Sequence, residues 1–142
     1  MVNKSTRQLN ADIPTNATIT IYHTTVQTVS GRPVESYIPF VVNCWLETSK
    51  GVLVNKYSTE SDIQAIAIIP IQDVPYISAK LWEEGYFTVV GGKSRVVIGD
   101  VVREITKVSD LTDDDTIETL LATDVEELII PDGLHHIEVG LK

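Results

Sequence analysis

The stretch Val96-Val97-Ile98-Gly99-Asp100-Val101-Val102-Arg103-Glu104-Ile105-Thr106-Lys107-Val108 decides the fold class of this chain. It reads as two strands joined at Gly99-Asp100; the first is apolar throughout, and the second begins to alternate between apolar and polar side chains. An acidic region follows it, and the chain closes on a further strand at 135–142. A strand pair, an acidic insertion and a returning strand predict a small β-domain with a charged surface.

The composition of the whole chain agrees with a β-protein. Valine, isoleucine and threonine make up about a third of the sequence, and these β-branched residues favour strands. A length of 142 residues suits one domain. We therefore predict an extended N-terminal arm at 1–16 and a single β-rich domain at 17–142. The predicted fold is mainly β, a small barrel or sandwich with one or two short helices.

Apolar alternation and turn residues place the remaining elements. Strands are predicted at 17–23, 35–37, 41–48, 52–54, 63–71 and 86–90, with 63–71 the central one. Turns are predicted at 30–33 and 91–94, where glycine occurs with proline or serine. A short helix at 78–85 would be capped by Ser78 and ended by Gly85. Apolar residues at helical spacing predict a second helix at 116–130, with two short strands as the alternative.

The net charge of −9 argues against a nucleic-acid-binding protein, because neutralising phosphates requires clustered Lys and Arg. The sequence has no apolar run near 18 residues, so no transmembrane helix and no membrane partner are expected. The first ten residues lack the apolar core of a signal peptide, which predicts a protein made in the cytoplasm.

No motif in the sequence predicts catalysis, a cofactor or a metal site. Cys44 is the single cysteine, and its apolar surroundings favour a buried structural thiol. The turn at 91–94 resembles the end of a phosphate-binding loop, but Phe87 stands where that motif requires glycine. His135 and His136 are adjacent, so on a strand they point to opposite faces and cannot share one metal. The acidic run lacks the central glycine of a calcium-binding EF-hand loop.

Two surfaces are candidates for interaction with partners. The first is a projecting polar loop at 55–62, with an exposed aromatic residue nearby on the predicted helix; its candidate contact residues are Lys56, Tyr57, Ser58, Thr59, Glu60 and Trp82. The alternative is that Tyr57 and Trp82 both pack onto the barrel. The second is an acidic surface that repels DNA or pairs with a basic partner, formed by Asp110, Asp113, Asp114, Asp115, Glu118, Asp124, Glu126 and Glu127.

Several short motifs occur in an order that resembles a known family. They are Ala17-Thr18-Ile19-Thr20-Ile21-Tyr22, Cys44-Trp45-Leu46-Glu47, the segment 66–70, Gly99-Asp100-Val101-Val102-Arg103-Glu104-Ile105-Thr106 and the terminal His136-Ile137-Glu138-Val139-Gly140. In this order they resemble small tailed-phage and prophage proteins, the minor capsid or head–tail connector proteins of the head-closure, stopper type. The resemblance covers the chain from about residue 17.

This resemblance implies a structural protein of the virion that is not an enzyme. Such connectors are small β-barrels that form a homo-oligomeric ring, here of six or twelve subunits, below the portal and adaptor proteins. The ring closes the DNA channel after packaging and then docks the tail proteins, so DNA passes through without specific binding. The resemblance places loop 55–62 in the channel and the protein at the head–tail interface. The arm at 1–16 would reach a neighbouring subunit.

Three other functions stay open at this point. A tail-completion (tail terminator) protein would share the β content and the acidic channel. A small enzyme would need a pocket built from His23, His135, His136 and the acidic residues. A module that binds a host ligand is the third.

Overall fold

The chain folds into a closed barrel of antiparallel strands. The computed structural model describes residues 13–48, 63–72, 74–128 and 135–142. Within these ranges the strands are β1 (Ala17–Val29), β2 (Arg32–Thr48), β3 (Ala65–Pro70), β4 (Arg95–Ile98), β5 (Thr119–Leu128) and β6 (His136–Leu141). They close in the order β1-β2-β3-β6-β5-β4. The predicted mainly β fold is confirmed, and of the two predicted architectures the chain forms the barrel.

β1 and β2 form one long hairpin around the predicted turn. Ser30 and Gly31 both have positive φ values, 54° and 78°, and Val29 pairs directly with Arg32. Positive φ at both central residues is the geometry of a type I′ turn, whose twist matches that of the flanking strands. The strands predicted separately at 35–37 and 41–48 are therefore parts of one continuous strand, β2.

The barrel interior is filled by apolar side chains from every strand. Its largest fully buried members include Ile19, Ile21, Ile69 and Phe87. The Phe87 ring stacks on Phe40 with centroids 4.9 Å apart and meets Tyr76 edge-on at 5.4 Å. These three rings fill the barrel beside the aliphatic side chains of the strands.

Cys44 lies in this interior with no exposed surface, as the sequence predicted. Burial raises the pKa of its thiol to about 11, because the thiolate would lose its hydration. The group is therefore neutral at physiological pH and serves in packing.

The second strand predicted in 96–108 does not form, and this prediction was wrong. β4 ends at Ile98, and residues 100–105 have no strand pairing. Side chains of β1 hold this segment instead of a backbone ladder. The Thr20 hydroxyl donates to Gly99 O at 2.7 Å and accepts from Val101 N at 2.9 Å. The Tyr22 hydroxyl donates to Val101 O at 2.5 Å and accepts from Arg103 N at 3.1 Å.

The segment 99–117 forms a second layer on the outside of β1 and β4. A short helix, α1 (Ser109–Thr112), places Leu111 on Tyr22 and Val97, and all three side chains are fully buried. We call this group the outer core; partly buried residues that pack against it are Tyr37, Val101, Ile105 and Ile117. Val96 points into the barrel while Val97 points into the outer core. The run Val96-Val97-Ile98 of β4 is apolar because both faces of the strand are covered there.

The helix predicted at 116–130 is wrong, because residues 119–128 form strand β5. Ala122 pairs with Leu141 and Val125 with Val139, so β5 carries one residue more than β6 between these pairs. Such a bulge shifts the inward-facing positions by one. The apolar residues then recur three apart across the bulge, which resembles helical spacing.

Two glycines accommodate this bulge. A Cβ atom on Gly91 would lie 2.1 Å from Thr123 O, and one on Gly140 would lie 2.7 Å from Thr123 Oγ1. The Thr123 hydroxyl donates to Gly140 O at 3.0 Å. The backbone of the bulge thus approaches neighbouring chain segments more closely than a side chain permits.

The region between β3 and β4 has less regular structure than predicted. A 3₁₀ turn at Ala79–Leu81 replaces the helix predicted at 78–85, and Ser78 makes no capping hydrogen bond with its side chain. The strand predicted at 86–90 is reduced to one bridge between Tyr76 and Phe87. The turn at 91–94 is present, with Lys93 N and Ser94 N donating to Val90 O. Among the described residues no helix is long and apolar enough to cross a membrane.

Candidate interaction surfaces

The predicted acidic surface is exposed, and it falls into two stretches. Asp110, Asp113, Asp114, Asp115 and Glu118 lie on α1 and the turns that follow it, whereas Asp124, Glu126 and Glu127 lie on β5. All are exposed except Asp114, which is partly buried.

Two of these acids have structural contacts that fix the outer layer. Asp110 accepts hydrogen bonds from the backbone N–H groups of Thr106 and Lys107, at 2.9 and 3.3 Å. The Thr106 bond is the main reason that the pKa of Asp110 lies below its ordinary value. Asp114 accepts from the Thr116 hydroxyl and from Arg103, both at 2.5 Å. These bonds, the Thr116 one first, lower the pKa of Asp114 to about 2.

A third acid, Glu127, belongs to a contact between β5 and the irregular region. The Tyr76 hydroxyl donates to Glu127 Oε1 at 2.7 Å. Burial of Tyr76 raises the pKa of its hydroxyl, and the bond to the carboxylate raises it further. The remaining acidic side chains have no hydrogen-bond or ion-pair partner within the described residues; these are Asp113, Asp115, Glu118, Asp124 and Glu126. They form the unpaired part of the acidic surface.

Trp82 is partly buried, so the packing alternative describes it better than a fully exposed contact residue. Its ring lies against His23 of β1 with centroids 4.7 Å apart, and its Nε1 donates to Tyr86 O at 2.9 Å. The neighbouring Leu81 and Tyr86 are the exposed apolar residues of this region, 67% and 39% exposed. The predicted loop at 55–62, with Lys56, Tyr57, Ser58, Thr59 and Glu60, lies outside the described residues.

The end of the predicted arm is attached to the barrel. Asn16 N donates to Cys44 O at 3.0 Å, and the Asn16 side chain bonds both Leu46 N and Leu46 O. Asn16 therefore belongs to the barrel, which moves the predicted boundary toward the N-terminus. Residues 1–12 of the arm lie outside the described part of the chain.

The histidines do not assemble a metal site in the described ranges. No group of three or more His, Cys, Asp or Glu side chains there could hold a metal ion. His136 Nε2 lies 3.3 Å from Glu138 Oε2 on the same face of β6, while burial against Trp82 lowers the pKa of His23.

The sequence reading missed a projecting part of the β1–β2 hairpin. β4 pairs with β1 no further than Tyr22, and β3 pairs with β2 only from Trp45. Residues 23–29 and 32–39 therefore extend beyond the paired part of the barrel as a two-stranded unit, which we call the ribbon. Its exposed apolar side chains are Val26, Val29 and Val34, with 60%, 52% and 44% of their surface accessible.

A signal for the ribbon was present in the sequence. β1 contains no Asp, Glu, Lys or Arg in its 13 residues, although the chain as a whole is strongly acidic. The β1 strand of the ribbon is therefore uncharged in an otherwise acidic molecule.

A family model describing a family of unknown function, DUF6751, matches residues 14–142. The chain belongs to this family. The match spans all six barrel strands, the outer layer and the ribbon. No curated protein and no solved structure matches the chain.

Proposed function

We propose that this protein is a structural component of a tailed-phage virion, a head–tail connector of the stopper type. In this proposal it forms a homo-oligomeric ring of six or twelve subunits between the portal and adaptor proteins above and the tail proteins below. The ring closes the DNA channel after packaging. The protein is made in the host cytoplasm and is not an enzyme.

The observation that carries the proposal is the negative charge that one long stretch of the chain places on the outside of a small closed barrel. From residue 109 to residue 141 the sequence has no Lys or Arg, and five acids of the described part of this stretch have no hydrogen-bond or ion-pair partner. DNA binding requires cations that replace the counterions of the phosphates, and this surface offers none. A ring lined by such surfaces would let DNA pass without holding it.

The barrel architecture supports the same proposal. Ring subunits need a rigid body, and the closed barrel provides one. The order of the motifs at 17–22, 44–47, 66–70, 99–106 and 136–140 supports it from the sequence side.

Electron microscopy of virions and of the purified protein tests the proposal. We expect ring-shaped particles of the purified protein and connector density at the head–tail junction. A protein that remains monomeric and is absent from virions would contradict the proposal. Mass spectrometry of tailless heads and free tails separates the two structural roles: a stopper stays with heads, and a tail-completion protein stays with tails.

Deleting residues 56–61 tests the channel loop. We expect heads that package DNA and then lose it, because the loop is proposed to close the channel. The double substitution D113N/D115N serves as a control, since it changes the acidic surface and leaves the loop intact. Deletion heads that retain DNA as well as the control heads do would remove the loop from the proposal.

A further inference from the structure

The ribbon has two outer edges that no strand covers within the described residues. Beyond Tyr22, β1 pairs with β2 alone, and before Trp45, β2 pairs with β1 alone. Unpaired strand edges bind other strands readily, and proteins usually block them with proline, charge or a covering segment.

The turn fixes which backbone groups point to each edge. Val29 and Arg32 flank the type I′ turn and bond to each other, so odd-numbered residues of β1 face β2. Even-numbered residues of β1 face outward, and the bond from Gly99 N to Thr18 O at 2.8 Å agrees with this alternation. The outward backbone groups of the ribbon's β1 edge thus belong to Thr24, Val26 and Thr28.

The two edges differ in how they are protected. The outward positions of β2 are odd-numbered and include Pro33 and Pro39, which have no N–H to donate. The outward positions of β1 include no proline and no charged residue. The sequence therefore blocks the β2 edge of the ribbon and leaves the β1 edge open.

We propose that the open β1 edge pairs antiparallel with the same edge of a second copy of this chain. The two-fold axis would pass at Val26, so that Val26 faces its counterpart and Thr24 faces Thr28 of the second copy. The outward N–H and C=O groups of these residues would then bond across the axis. An interface in which each copy uses the same patch is the geometry of a closed dimer.

The length and the charge of the open β1 edge favour a second copy of this chain as the strand that pairs with it. The open edge runs from 23 to 29 and is centred on Val26, so the paired segments end where Arg95 of β4 begins to pair with Tyr22. Two copies of a chain with a net charge of −9 repel each other, and the repulsion is weakest where the contacting segments carry no charge. β1 carries no formal charge, and the exposed Val26 side chains would cover one another.

This inference goes beyond the connector proposal, because a single-layer ring is built from head-to-tail contacts while this edge is self-complementary. The two can fail separately. A protein absent from virions could still dimerise through β1, and a ring subunit could assemble entirely through other surfaces.

Light scattering coupled to size-exclusion chromatography of the full chain tests the pairing. At protein concentrations below those at which rings assemble, we expect a dimer of about 31 kDa, twice the 15.7 kDa of one chain, and no monomer. V26P removes the central N–H donor from both copies, and Pro33 and Pro39 show that outward ribbon positions accommodate proline. We expect V26P to weaken the dimer about tenfold or more, since it removes two hydrogen bonds. V26K should also dissociate it through like charges.

The matched control is V34K, which adds the same charge at another exposed valine of the ribbon. Val34 faces β1 with its backbone and does not contribute to the open edge. We expect V34K to remain dimeric, and amide hydrogen exchange to protect Thr24, Val26 and Thr28 in the wild type and in V34K only. A monomeric wild type, an assembly unaffected by V26P, or unprotected amides in the wild-type dimer would each overturn the proposal.

Discussion

The two faces of β1 and β4 are stabilised in different ways. On the inner face, Ile19, Ile21 and Val96 are buried in the apolar cluster that fills the barrel. On the outer face, Thr20 and Tyr22 are equally buried but act through their hydroxyl groups, which bond the backbone of 99–103. A backbone ladder would hold this segment straight beside β1. Bonds from side chains allow it to leave β4 and cross the outside of the barrel, where Leu111 completes the outer core.

The largest effect is expected from breaking the inner face. Replacing Phe87 with alanine removes a ring that packs on Phe40 and Tyr76 and should lower the free energy of unfolding by about 3–5 kcal/mol. Urea denaturation measures this change. L81A is the control, because Leu81 is 67% exposed and its loss should change stability by no more than about 0.5 kcal/mol. Equal losses would mean that Phe87 does not pack as described.

A smaller effect is expected on the outer face. Y22F keeps the ring and removes only the hydroxyl, leaving Val101 O and Arg103 N without this partner. Unsatisfied buried groups cost about 1–3 kcal/mol, so urea denaturation should show a loss in that range. Amide exchange of Arg103 should become faster while amides of β3 and β6 stay protected. Uniform loss of protection would show that the two faces are not separable.

A double-mutant cycle sharpens the comparison further. T20V and Y22F each remove a hydroxyl bonded to Val101, Thr20 to its N–H and Tyr22 to its C=O. Because both act on one peptide segment, we expect the pair to be non-additive by about 0.5 kcal/mol or more. Pairing Y22F with F87A provides the control cycle. Additive behaviour of T20V and Y22F would show that the segment is not held as a unit.

The acidic end of the outer layer should make stability depend on pH. The folded-state pKa of Asp114, about 2, lies below its ordinary value of 3.8. The stabilisation is therefore fully present above pH 3.8 and is lost as the pH falls toward 2. D114N should reduce the slope of the thermal midpoint against pH in this window. D115N is the control, since Asp115 has no such partners, and it should leave the slope unchanged.

The smallest effect is expected at Cys44, which reports on opening of the inner face alone. With a buried thiol and a pKa raised to about 11, native Cys44 should react with a thiol reagent only when the barrel opens. Y22F disturbs the outer face. Its Cys44 should react faster only by the factor expected from the lower free energy of unfolding that is measured for this variant. A larger acceleration would mean that the outer layer also seals the barrel.

Sequence reasoning succeeded where the apolar positions of a segment follow one uninterrupted pattern. β1 was predicted from alternation, β3 from its apolar run and β6 as the closing strand. The turn at Ser30-Gly31 was predicted from its residue types, and the buried thiol of Cys44 from its apolar neighbours. In these segments each residue's environment follows from its immediate neighbours. Of the candidate surface residues, the acids were predicted to be exposed, and all but Asp114 are.

Sequence reasoning failed where a distant segment sets the local structure. β5 was read as a helix because the bulge at Thr123 shifts its apolar positions, and the bulge exists because Gly91 and Gly140 leave room for it. The roles of Asp110, Asp114 and Glu127 depend on partners brought close by folding.

The sequence by itself determined strands β1, β2, β3, β4 and β6, the main turns and the acidic character of this protein, because composition and apolar patterning are properties of neighbouring residues. Only the tertiary structure decided that the segment after Ile98 leaves the sheet. The hydroxyl groups that hold it belong to Thr20 and Tyr22, about 80 residues earlier in the chain. Only the tertiary structure also showed that the hairpin extends beyond the barrel, since the length of β1 that pairs with β2 alone depends on where β4 begins.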